Sequence, residues 1–341
     1  MYVAPRPTQE DDPLYAVRMT CVVIAGIVFA ILCRSPMAPI YPALMYGMIA
    51  GNRGAFSIGR AIAAPLSFSI GMWLMVGLVT MLGSLPLLLL AVIAAIMFGA
   101  FYLAMKSSNP VPMLLLMPLV MASVLGIGSY QSMTMLRDEM TKAALFAALV
   151  APVLYFLLPT RATWVDKPVY AAVHSEGVAA RAAIRTLVLL LFCCWIYVTL
   201  GSANMMLAIG ATFVLMFPTS ETLQAEAWER SFSTLLGGGV GIVIILIVNV
   251  VAHPLIFLLV VALGALYFSQ RIIDGRHPAM VYQFGASAMI SVATAAVGGQ
   301  EPTYALLTRV VLTFGGAVAA AYLTIMLESI FVGRKTVEAT T

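Results

Sequence analysis

Charge is what this chain has least of. Among its 341 residues only 9% are Asp, Glu, Lys or Arg, against 62% hydrophobic, and the mean hydropathy is +1.02. Soluble domains carry about a quarter of their residues charged, so that class is excluded. Cysteine is scarce as well. Cys21, Cys33, Cys193 and Cys194 all sit in apolar stretches without metal-ligand spacing and read as reduced thiols behaving as small hydrophobes. The three histidines, His174, His253 and His277, are far apart and suggest no metal pair. There is no phosphate loop with its lysine, hence no ATP-driven engine, and no nucleophile–base constellation. Neither an enzyme, a cofactor, a metal nor a nucleic-acid partner is expected. Acids are missing from the middle of every apolar segment: Asp138, Glu139, Glu226, Glu229 and Glu328 all fall toward segment ends. Carboxylate relays are the usual proton path in membrane pumps, so proton coupling has no obvious carrier here. It need not have one. An inside-negative potential drives a monovalent anion outward with about 2.3 kcal/mol per 100 mV, roughly a fiftyfold gradient.

What remains is apolar segments, many near the twenty residues that cross a hydrocarbon core of about 30 Å as helices. The first half holds them at 14–33, 36–51, 57–81, 85–105, 111–130 and 138–158. The second holds them at 183–200, 203–219, 228–249, 253–269, 278–297 and 304–330. The polar, acidic start (Glu10, Asp11, Asp12) followed by a long run from Leu14 to Cys33 does not read as a cleavable signal peptide. The expected fold is an all-α membrane protein of about twelve transmembrane helices. Residues 1–13 and 332–341 are expected as cytoplasmic tails. Six-helix units at 14–158 and 183–331 flank a cytoplasmic connector at 159–182.

The two halves echo each other. Arg18 in AVRMTCVV recurs 167 positions on as Arg185 in AIRTLVLL, and Lys142 recurs as Arg309 at the same offset. Lys106 matches Arg271 at 165, Pro112 matches Pro278 at 166, and Arg60 matches Arg230 at 170. Such duplication predicts two similar bundles with a transport pathway at their seam. Loops on one side hold Arg6, Arg53, Lys106, Arg161, Lys167, Arg181, Arg271, Arg276, Arg334 and Lys335, while the other side keeps Arg34 and Arg137. The positive-inside rule then places both termini in the cytoplasm, and an even number of spans per half makes the repeats parallel. The segments at 36–51 and 203–219 are short for a crossing, and the first carries Pro36, Pro39 and Pro42. Equivalent short segments in both halves point to a site built from broken helices, or to ordinary kinked helices whose neighbours satisfy the freed backbone.

A charge inside a span costs about 2.5–3.5 kcal/mol on insertion scales. Arg18, Arg60, Arg185 and Arg230 lie within a turn or two of the cytoplasmic ends, where they either border an anion route or snorkel to headgroups. Lys142 and Arg309 fall on the outer side and are expected in the pathway; Asp138 and Glu139 stand within helical reach of Lys142. Two tiers of paired cations would form a corridor for an organic anion. Asp138, Glu139, Glu226 and Glu229 are the candidates for coupling or gating it. The methionines at Met113, Met117 and Met121 read as packing.

The stretch from Glu229 to Gly241, ERSFSTLLGGGVG, resembles the arginine, threonine and glycine pattern of the fusaric acid resistance and aromatic acid exporter families. RAIAAPLSFSIG, from Arg60 to Gly71, is a looser copy that keeps the arginine and a late glycine. The resemblance implies a bacterial inner-membrane exporter of small organic anions such as aromatic carboxylates, with Arg230 and Arg60 in the anion route or its frame. Many relatives append a large cytoplasmic domain to each six-span unit; the short connector here is similar to a compact branch without one. That branch implies a periplasmic membrane-fusion adaptor and an outer-membrane channel as partners. An anion channel and a non-transporting scaffold subunit are the alternatives.

Overall fold

The computed structural model describes residues 8–107, 112–164, 177–200, 205–217, 219–251, 253–297 and 302–332. They form α1 (Tyr15–Leu32), α2 (Ile40–Ala50), α3 (Ile58–Leu82), α4 (Pro86–Ser107), α5 (Met113–Gly128) and α6 (Tyr130–Leu157). Then follow α7 (Val178–Trp195), prolonged by a π-helical turn over Ile196–Leu200, α8 (Met206–Leu215), α9 (Ser220–Val250), α10 (Pro254–Asp274), α11 (Ala279–Val297) and α12 (Pro302–Phe331). No strand occurs among the described residues. Eight helices are long and apolar enough to cross a bilayer: α1, α3, α4, α6, α7 with its π turn, α9, α10 and α12. Many large apolar side chains face outward, among them Leu87, Phe156, Val198 and Val250, each more than four-fifths exposed. Water would not tolerate such a surface, whereas lipid requires it. This is a multi-pass, all-helical membrane protein. Arg6, Lys167, His174, Arg334 and Lys335 lie outside the described residues.

The short segments are short helices. α2 has 11 residues and α8 has 10, rising about 16 and 15 Å, half a hydrocarbon core. Pro39 precedes α2 and Pro42 sits in its first turn, where a backbone N–H has no intrahelical acceptor to lose. α2 also lies close on α1: a Cβ on Gly26 would meet Pro42 Cα at 2.5 Å.

Two helices begin earlier than hydropathy predicts. α6 starts at Tyr130, eight residues before the expected 138, and α9 at Ser220 in place of 228. Polar caps launch both. Ser129 accepts from Ser132 N, and Thr219 and Thr222 form a reciprocal capping box. The charged stretches that hydropathy leaves outside the membrane are therefore helical, and Glu139, Glu226 and Glu229 stand inside their helices, past the first turn.

Helix pairings repeat six elements on. α3 packs on α5 and α6 as α9 packs on α11 and α12, and α2 on α6 as α8 on α12. Across the seam α1 meets α10 as α7 meets α4, and α2 meets α11 as α8 meets α5. The two large buried clusters each draw on both halves, one running from Phe68 through Met97 to Phe192 and Leu207, the other from Tyr15 through Tyr46 to Phe257 and Met289.

Candidate functional site

Where α2, α3, α5 and α6 of the first half face α8, α9, α11 and α12 of the second, they enclose a cavity of about 600 Å³. That volume suits a small molecule. Its walls are mainly apolar and aromatic, with Phe68, Met117, Met121, Met140, Phe213 and Phe284 prominent. Met117 and Met121, expected as packing, are lining residues. The polar groups come from Arg230 and Thr234 on α9, Gln283 and Ser287 on α11 and Thr313 on α12. Arg230 is the one charged side chain among the described lining residues.

Arg230 is 5% exposed, and the structure compensates its charge in several ways. Its Nη2 donates to Glu226 Oε1 at 2.7 Å, one turn back on α9, a spacing that puts both groups on the same helix face. The guanidinium plane lies over Phe284, 3.7 Å from the ring centroid, and near Phe213 at 4.2 Å, so two aromatic faces supply cation–π attraction where water is excluded. Its Nε, buried, has no hydrogen-bond partner. A guanidinium has five donors in a flat fork, and with Glu226 on one Nη, capacity remains for a second acceptor. The hydroxyls of Ser233 and Thr234 donate to the Arg230 carbonyl at 2.7 and 2.9 Å, which keeps these small polar side chains folded onto their own helix. Gln283 ties the seam together: its Nε2 donates to the Gly47 carbonyl at 3.4 Å, and its Oε1 accepts from Arg53 Nη2 at 3.3 Å. Arg53, expected as an ordinary loop cation, is 3% exposed, so a second buried guanidinium stands behind this wall.

The other predicted cations are placed differently. Arg18 is fully buried on α1, paired with Asp12, donating to the Leu158 carbonyl at 2.8 Å and stacked 4.0 Å from the Tyr155 ring centroid. Burial pushes the Asp12 carboxyl above the ordinary carboxylate range, and the Arg18 charge opposes that rise only in part. Arg185, the counterpart on α7, is equally buried and pairs with Glu328 of α12 at 3.3 Å. Both arginines thus pin the first helix of a half to the far end of its last. Arg60 is exposed at the start of α3, donating to the Ala55 carbonyl at 3.1 Å. Lys142, half exposed, pairs with Glu139 at 2.7 Å. Glu139 is itself buried and also accepts from Ser35 and from Tyr41 Oη. Asp138 pairs with Arg137, whose guanidinium covers Trp73. Glu229 is partly buried beside Arg230 on α9. The side chain of Arg309, on α12, lies outside the described ones. Of the six cations, then, Arg230 alone is a described lining residue, and Arg18, Arg60, Lys142 and Arg185 are not.

Residues 191–323 match the family model for fusaric acid resistance protein-like proteins. The match spans 133 of the 341 residues, all in the second half of the chain. No curated protein and no solved structure matches it. The matched segment runs from within α7 to within α12 and contains all five polar lining residues. Phe213, Phe284 and Gln283 carry no sequence signal of their own, because Phe213 and Phe284, 71 positions apart, become neighbours only when α8, α9 and α11 pack.

Proposed function

We propose that this protein exports small organic anions, aromatic carboxylates above all, across the bacterial inner membrane through the seam cavity. In this reading it has twelve membrane segments in two parallel six-helix repeats, with both termini cytoplasmic, and delivers substrate to a periplasmic membrane-fusion adaptor and an outer-membrane channel. The single observation that carries the proposal is Arg230: a nearly buried guanidinium, the one charged side chain among the described lining residues, in the wall of a mainly apolar and aromatic cavity between the halves. An aromatic acid is the matching solute, its carboxylate for the guanidinium fork and its ring for the Phe and Met faces. The recurrence of helix pairings six elements on supports the repeat. A scaffold that never transports would have no use for an arginine lining a cavity at its seam.

The test is flux of benzoate from proteoliposomes under an imposed potential. Arg230→Ala removes a charge-assisted bond and is expected to lower potential-driven flux about 10- to 100-fold. Lys142→Ala, whose side chain is half exposed and outside the cavity lining, is expected to leave it near wild type. Undiminished flux in a folded Arg230→Ala protein would remove the cavity from the mechanism.

A further inference from the structure

Matched by sequence offset, the lining residues of the two halves give the cavity chemically unlike walls. Met117 on α5 corresponds to Gln283 on α11 at an offset of 166, and Met121 corresponds to Ser287 at the same offset; all four line the cavity. Leu114 and Met280, again 166 apart, both line it too, so α5 and α11 present the same face inward. On the neighbouring helices Ala64 and Thr234, separated by the 170 that separates Arg60 from Arg230, are likewise both lining residues. At three of these four positions the second half carries a hydrogen-bonding side chain where the first carries an apolar one. The charged position differs most sharply: Arg230 lines the cavity, while Arg60 is exposed and bonded to the Ala55 carbonyl.

From this asymmetry we infer that the halves divide recognition between them. The second half holds the carboxylate, and the first half, through Met117 and Met121, selects an apolar body at the other end of the substrate. The inference rests on the export reading and narrows it to amphipathic monoanions. A group that needs hydrogen bonds at the far end of the ring would be desolvated against methionine with no donor or acceptor to replace water, and a buried unsatisfied polar group is penalised. Methionine's flexible thioether tolerates varied apolar shapes, so the wall discriminates by polarity more than by contour. Met117 and Met121 are specificity-determining residues, and copying the second half's side chains onto them makes the walls alike.

Calorimetric titration of the purified full-length protein in detergent, with benzoate and para-carbamoylbenzoate, tests this apart from transport. Wild type is expected to bind benzoate about tenfold or more tightly than the carbamoyl compound. Met117→Gln with Met121→Ser is expected to shrink that ratio by about tenfold. Met121→Ser alone, expected to shrink it in part, serves if the double variant does not elute as a single species. Equal affinities in wild type, or a ratio unmoved in the variants, overturns the division of labour while leaving Arg230's role intact. Loss of benzoate binding in Arg230→Ala with the ratio shift in the methionine variants supports both. No binding of either acid to wild type removes the export reading and this inference with it.

Discussion

Arg18 and Arg230 look alike in the sequence, each an arginine in an apolar run, yet their surroundings give them different work. Arg18 has a neighbouring carboxylate, a carbonyl and a ring, all within the protein; Arg230 has an acid and two rings but also faces empty volume. Removing Arg18 leaves Asp12, 1% exposed, as an uncompensated buried carboxylate, for which Arg18→Ala is expected to lose about 3–5 kcal/mol of stability at neutral pH. Without the opposing guanidinium, the Asp12 carboxyl in that variant rises further above its unfolded value. A carboxyl raised by folding contributes its full stability below the unfolded value and loses it as pH rises through the folded one. Thermal unfolding in detergent should therefore show Arg18→Ala regaining stability as pH falls toward about 5. Arg18→Ala with Asp12→Asn should start higher at neutral pH and show no such recovery. The Lys142–Glu139 pair was legible from i,i+3 spacing, because neighbours on one helix are neighbours in any fold. Asp12 as Arg18's partner and the exposure of Arg60 were not legible, since both depend on how the tail and the loop before α3 run.

At the scale of the helix, α9 carries the arginine, threonine and glycine pattern, and its spacing now has a physical reading. Arg230 and Thr234, one turn apart, line the cavity; Gly237, nearly a turn further, lets α9 touch α11 backbone to backbone. A Cβ on Gly237 would come within 2.0 Å of the Gly285 carbonyl oxygen, whereas one on Gly239 would meet nothing within 4 Å. Gly237→Ala is expected to destabilise by about 1–3 kcal/mol through forced helix separation and to lower benzoate affinity as the cavity wall shifts. Gly239→Ala is expected to be neutral or up to about 1 kcal/mol stabilising, because alanine is the better helix former. Unfolding curves of the two variants side by side decide this, and equal losses would contradict it. Most helices, including the two short ones, were readable from apolar run length. The early starts of α6 and α9 were missed because hydropathy registers what a residue tolerates, while the helix continues wherever caps and backbone bonds sustain it.

For the molecule as a whole, the repeated pairings and the basic loops lead to a testable orientation. Cys33, at the end of α1, is the one exposed cysteine of the four. With cytoplasmic termini it faces the outer side. A membrane-impermeant maleimide applied to spheroplasts is expected to label wild type but not Cys33→Ser, and to reach Glu10→Cys in a Cys33→Ser background only after permeabilisation. Labelling of Glu10→Cys in sealed spheroplasts would invert the topology.

The amino-acid sequence alone determined the environment, the helical class and the half-length elements α2 and α8, because each rests on composition or on spacing along the chain. Membrane insertion is read residue by residue, and helices close their hydrogen bonds locally. Which of the paired cations meets the cavity was decided only in three dimensions. A guanidinium at the same register can salt-bridge the segment before its helix, lie on the surface or face a void, and the choice is made by side chains on other segments: Asp12 for Arg18, Glu328 for Arg185, Phe213 and Phe284 for Arg230.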